Sequence, residues 1–172
     1  MKNQGFTIVE SLVAIAILVL AITGAASAIQ TGISSYIFSK DQITAFYIAQ
    51  EGIEQIRNIR DENALNNRDW LAGLAANSSD PCYFGNACIV DPVQSSVPTR
   101  CSGGPGSCPS LRQDVVTSFL GYNLSWPETI FRREIILKQI NASEISILVT
   151  VNWSKGLVTR QFRARENILN WQ

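Results

Sequence analysis

Four cysteines are the residues whose spacing most directly suggests chemistry. Five residues separate Cys82 from Cys88, and six separate Cys101 from Cys108. An even number of cysteines in a loop-like stretch is typical of disulfides and of an oxidising compartment outside the cytoplasm. The spacing suits two small local bridges, with crossed pairing left open. A zinc site is the alternative, but the C-x₂-C spacing of zinc ribbons and fingers is missing.

A single acid inside an apolar run is the second notable feature. Glu10 is the only charged residue between Lys2 and Lys40. A carboxylate at the centre of a bilayer costs roughly 2.5–3.5 kcal/mol, and less near the interface. Glu10 is therefore expected either to lie at the headgroup level or to have a positively charged partner.

Catalytic patterns are missing from the rest of the sequence. The chain has no histidine, the side chain most often used for acid–base catalysis near neutral pH. No nucleophile elbow, phosphate-binding glycine loop or metal-binding helix pattern is present. Asp80, Asp91 and Asp114 are too scattered for a calcium loop. We expect no enzymatic activity, no cofactor and no metal.

The element that carries Glu10 is long and apolar. No charged residue occurs from Ser11 to Ser39, and about residues 11–30 form a stretch that can cross a bilayer. Because only Lys2 and the free amine precede it, the N-terminus should lie in the cytoplasm and the bulk of the chain outside. A secretory signal cut near Ala28 is the rival interpretation. Against it, helical periodicity continues without a proline before Pro81.

The stretch from Gly5 to Ala14 resembles the signal of type IV pilins and of the pseudopilins of type II secretion. Both have a short basic leader that ends in glycine, an aromatic first mature residue, and glutamate as the fifth mature residue. Gly5, Phe6 and Glu10 match these positions. The resemblance implies a leader at residues 1–5, cleavage between Gly5 and Phe6 by prepilin peptidase, and N-methylation of Phe6. It also implies that Glu10 pairs with the N-terminal amine of a neighbouring subunit during assembly.

The remaining sequence predicts a long helix packed against a sheet, an arrangement that resembles the α+β fold of type IV pilins. A long helix should cover residues 6–60, with a disulfide-pinned loop region at 61–128. Residues 129–172 should form an antiparallel meander of about three strands, because Glu144–Trp153 alternates between apolar and polar residues. One face of this sheet should cover the second half of the helix. These boundaries give a leader, a helix, a loop region and a sheet.

Basic residues are concentrated in the predicted sheet. Residues 129–172 contain seven basic and three acidic residues, whereas residues 62–128 contain three basic and six acidic ones. We interpret Arg132, Arg133 and the pair Arg163 and Arg165 as a solvated outer face that contacts the acidic loop of a neighbour. Nucleic-acid binding is not expected, since few aromatic residues interleave with these arginines. Apolar residues at the C-terminus, including Trp171, are expected to pack against the sheet edge.

Residues 1–60 resemble minor pilins of the PilV and GspI kind, which are thought to prime or cap a filament. The resemblance implies a structural subunit of a type IV pilus or pseudopilus. Its implied partners are other pilin or pseudopilin subunits, prepilin peptidase, the assembly platform of the inner membrane and the lipid bilayer. The implied location is the inner membrane and then an extracellular or periplasmic filament. The alternative is a monomeric, membrane-anchored binding module with a single span and an extracytoplasmic head.

Overall fold

One long helix, α1, runs from Ile8 to Leu65. The computed structural model describes residues 7–93 and 95–170, without the side chains of Ser95 and Ser96. The helix continues five residues beyond the predicted end at Arg60. It stops where Asn67 adopts a left-handed conformation, with φ at 52°. There the N–H of Arg68 donates to the carbonyl of Asn63 at 2.9 Å, which satisfies one of the carbonyls that a helix end leaves without a partner.

Two units make up the chain, Met1–Gln42 and Ile43–Gln172. In the first unit, every side chain from Thr7 to Tyr36 is exposed. The hydroxyl groups of Thr23 and Thr31 donate to carbonyls of the preceding turn, those of Val19 at 2.9 Å and Ser27 at 3.0 Å. These polar side chains therefore have partners within the helix itself, which suits an apolar environment.

The second unit contains a sheet of seven strands, all paired in antiparallel fashion. The strands are β1 (Ala87–Asp91), β2 (Ser95–Arg100), β3 (Ser110–Gln113), β4 (Leu120–Gly121), β5 (Glu128–Asn141), β6 (Glu144–Lys155) and β7 (Val158–Leu169). The long strands β5, β6 and β7 form the predicted meander. The number of strands was underestimated, because β1 to β4 come from the region predicted to be loop.

Both β1 and β3 pair with the same edge of β5. β1 pairs beside Ile135 and Ile136, and β3 pairs beside the segment from Glu128 to Arg132. The other edge of β5 pairs with β6 along nearly its whole length. This arrangement extends the meander with short strands and gives the head, residues 43–172, a wider sheet than its sequence pattern predicts.

The core lies between the second half of α1 and the inner face of the sheet. Buried helix residues recur with helical spacing at Ala45, Ile48, Ala49, Ile53 and Ile56. Opposite them are buried residues of β5 and β6, which are Ile135, Leu137, Ile145, Ile147, Val149, Val151 and Trp153. The prediction that the sheet covers the second half of the helix is confirmed.

Candidate functional site

Glu10 lies in the first turn of α1 with its side chain exposed. Its backbone N–H donates to the hydroxyl oxygen of Thr7 at 3.3 Å. Thr7 thus caps the helix, and the spacing from Thr7 to Glu10 is that of a capping box. An acid in the first turn also interacts favourably with the positive end of the helix dipole. Gly5 and Phe6 lie outside the described residues.

An apolar surface surrounds the helix next to Glu10. Side chains such as Leu12, Leu18 and Leu20 are exposed by 62%, 59% and 71%. The helix is long and apolar enough, near the N-terminus, to cross a membrane. An apolar surface of this extent is unfavourable in water at about 25 cal/mol per Å². A bilayer or the helices of other proteins could cover it, and Glu10 would then be a carboxylate beside that apolar layer.

Residues 1–26 match the family model for the prokaryotic N-terminal methylation motif. The chain has the N-terminal signal of the type IV pilin-like family. No curated protein and no solved structure matches the chain.

The four cysteines form two disulfides in the head. Cys82 is bonded to Cys88, with Cα atoms 5.2 Å apart, and Cys101 to Cys108, with Cα atoms 4.9 Å apart. No free cysteine remains among the described residues. In residues 7–93 and 95–170, no group of three or more metal-ligating side chains is found.

The two disulfides lie on opposite faces of β1. Cys88 belongs to the main core under α1, whereas its neighbours Ala87 and Ile89 contact Cys101 and Cys108 on the other face. β1 is therefore buried on both faces. The signal for this strand is the apolar run at residues 87–90 between turn-forming residues, since a short continuous apolar run is typical of a strand covered on both sides.

The loop closed by the second disulfide is fixed to the outer face of the sheet. The N–H of Gly106 donates to the carboxylate of Glu134, and Arg132 donates to the carbonyl of Gly106 at 3.2 Å. Gly104 and Gly106 have φ values of 76° and 87°, a region that favours glycine. The loop thus covers the part of the outer face formed by β1 and β5.

Arg133 is completely buried, and the prediction that it belongs to the outer face is wrong. Its guanidinium donates to Glu51 at 2.7 Å and to the carbonyl oxygens of Ile48 at 3.3 Å and Val90 at 2.8 Å. Successive side chains of β5 point to opposite faces of the sheet, and Arg133 lies two residues before the buried Ile135. Both side chains therefore point to the same, inner face, which explains the error. Arg133 therefore joins β5 to α1 and β1.

The other predicted basic residues are exposed. Arg132, Arg163 and Arg165 all face solvent, and β7 brings the last two beside Thr150 and Leu148 of β6. The outer face of the sheet consequently has a positive charge near the end that the disulfide loop does not cover. The predicted anchor Trp171 lies outside the described residues.

Proposed function

We propose that this chain is a subunit of a type IV pilus or of a pseudopilus of type II secretion. The observation that carries the proposal is the methylation motif over residues 1–26, which opens a helix long and apolar enough to span a membrane. Prepilin peptidase would cleave between Gly5 and Phe6 and methylate Phe6. The chain would first lie in the inner membrane with its head outside the cytoplasm. The assembly platform would then move it into an extracellular or periplasmic filament.

Glu10 has a physical role in this proposal. Cleavage releases a positively charged amine on Phe6 in the same apolar layer as the Glu10 carboxylate. Two opposite charges are far less costly there when paired than when separate. The amine of one subunit would pair with Glu10 of its neighbour and so set the register between their helices. The carboxylate is exposed in the single chain and is therefore available for such a contact.

Two measurements test the proposal. The mature protein should begin with N-methylated Phe6 in N-terminal mass spectrometry. An intact Met1, or a cut near Ala28, would instead support the membrane-anchored binding module.

Glu10→Ala should still be inserted and cleaved but should be nearly absent from sheared filaments. Glu62→Ala, which changes an exposed acid at the end of the same helix, is the control and should be incorporated normally.

We further propose a minor role, as a subunit that primes or caps the filament. The support is the resemblance of residues 1–60 to minor pilins. Quantitative mass spectrometry of sheared filaments should find a few copies of this chain per filament. A copy number close to that of the most abundant subunit would contradict the minor role and leave the filament proposal intact.

A further inference from the structure

An exposed apolar loop lies at one end of the sheet. Residues 114–119, here called the apolar loop, connect β3 to β4 and expose Val115, Val116 and Phe119 by 79%, 85% and 61%. Asp114 organises the loop by accepting hydrogen bonds from the N–H groups of Val116 and Thr117 and from the Thr117 hydroxyl. An ordered loop with three exposed apolar side chains is typical of a contact surface.

A groove with complementary properties lies on the outer face of the sheet. It has a volume of about 520 Å³ and is formed by β5, β6 and β7. Ile136, Ile140 and Leu148 supply its apolar surface, and Lys138 and Arg165 supply positive charge. Within residues 7–93 and 95–170, neither Lys138 nor Arg165 makes an ion pair. The groove therefore suits an apolar segment that carries a carboxylate.

The loop and the groove of one chain cannot meet each other. The N–H of Gln113, just before the apolar loop, donates to the carbonyl of Pro127 at the start of β5. Lys138 lies near the far end of that strand. At about 3.3 Å per residue, the two positions are separated by roughly 35 Å along the strand. A contact between Asp114 and Lys138 therefore requires two molecules.

We propose that the apolar loop of one copy of this chain docks in the groove of a second copy. Val116 and Phe119 would cover Ile136 and Leu148, and Asp114 would approach Lys138 and Arg165. Because the two surfaces differ, the contact is heterologous, and a pair of copies leaves one loop and one groove unoccupied. The proposal rests on surfaces of the head alone and does not depend on cleavage at Gly5.

Zero-length carbodiimide cross-linking tests this contact, because it joins a carboxylate to an amine that already touches it. Membranes containing the full-length chain would be prepared from mixed ¹⁴N- and ¹⁵N-labelled protein. Mass spectrometry should find the peptide of Asp114 joined to that of Lys138 with one light and one heavy partner. Absence of this mixed pair, or joining of Lys138 to a different protein, would overturn the proposal.

Two variants test whether the yield of the mixed cross-linked pair depends on the apolar loop. Phe119→Ser should lower the yield of the mixed pair roughly tenfold, as expected for loss of an aromatic anchor. Leu157→Ser is the matched control, since Leu157 is also exposed but lies in the turn between β6 and β7. The yield of the mixed pair should be unchanged in this variant. Equal yields from both variants would contradict docking through the apolar loop. Both substitutions are at the surface, so both proteins should fold.

Discussion

Arg133 joins three segments of the head through one guanidinium group. A buried cation is stabilised when its charge is balanced and its N–H groups have acceptors. The two terminal nitrogens of Arg133 have acceptors, whereas its buried Nε has none among the described residues. Glu51 provides the opposite charge from α1, while carbonyl oxygens of Ile48 and Val90 accept further hydrogen bonds. The position of the helix over the sheet is therefore fixed by directional bonds as well as by apolar contact.

Glu51→Gln should lower the free energy of unfolding by about 2 kcal/mol, because it leaves the buried charge of Arg133 without a counter-charge. The Glu51 side chain is 35% exposed, so the loss should be smaller than for a fully buried pair. Urea unfolding monitored by circular dichroism measures it. Glu54→Gln, on the same helix with its side chain 56% exposed, is the control and should change stability by less than about 0.5 kcal/mol.

Tyr122 should make stability depend on alkaline pH. Burial of its ring raises the pKa of its hydroxyl above the ordinary value of 10.0. Above about pH 10, the unfolded chain loses this proton while the folded chain keeps it, so stability falls as pH rises. Tyr122→Phe should show a smaller fall between pH 9 and pH 11 in urea unfolding. An unchanged pH dependence would exclude Tyr122 as a contributor.

At the scale of elements, α1 packs closely against the sheet at Gly52. A Cβ atom added there would lie 3.1 Å from Cδ of Arg133 and 3.2 Å from Cγ1 of Val149. Arg133 is held by its hydrogen bonds and Val149 belongs to the core, so neither can move freely. The absence of a side chain at this position therefore allows the close packing of helix and sheet.

Gly52→Leu should destabilise the head by about 1–3 kcal/mol, although leucine is the better helix former. The cause is overpacking against Arg133 and Val149. Thermal unfolding of the full-length protein in detergent measures the effect. Gly24→Leu is the matched control, because nothing lies within 4 Å of a Cβ added at Gly24. Equal effects of the two substitutions would contradict the packing explanation.

The elements that follow from periodicity could be predicted from the sequence. Apolar spacing identifies α1, and alternation identifies β6 with its neighbours in the meander. The short strands β1 to β4 were not predicted. β1 and β2, and likewise β3 and β4, form local hairpins, but β1 and β3 join the main sheet only by pairing with β5, which is more distant in sequence. The apolar run at residues 87–90 is compatible with such a strand, but a run this short does not distinguish a buried strand from a buried helix segment. Arg133 shows a different limit of sequence-based prediction. Its charge suggested a solvent-exposed position, but its place in the alternation of β5 puts it in the core.

The candidate functional residues also include some that the sequence identifies and some that it does not. Glu10 could be identified because its type and position within an uncharged run are local properties. The apolar loop and the groove could not be recognised from sequence, since β3 to β7 must fold before their side chains meet. Charge alone indicated a basic sheet and an acidic preceding region, without identifying the surfaces involved.

At the scale of the whole molecule, two disulfides stabilise a head with many short strands. One bridge closes a loop beside the main core, and the other closes the loop on the outer face. A bridge across so short a loop contributes at most about 2–3 kcal/mol by restricting the unfolded chain. The head should therefore reach full stability only in an oxidising compartment.

Replacing Cys101 and Cys108 together by alanine should lower the free energy of unfolding by about 2–3 kcal/mol. Guanidinium unfolding measures the loss. Peptide mapping of the variant without reduction should still find Cys82 joined to Cys88. A mixture of pairings in the wild-type protein, or metal bound to the reduced protein, would contradict the arrangement of the bridges.

The hydroxyl groups along the first part of α1 have one more consequence. Thr23, Thr31 and Ser39 each donate to a carbonyl oxygen of their own helix. Transfer of the helix from lipid to a bundle of other helices would exchange one apolar solvent for another without breaking any of these bonds. Glu10 would be the one charged group in the span whose solvation changes. In the proposed filament, the helix would therefore exchange lipid for neighbouring helices with little polar reorganisation.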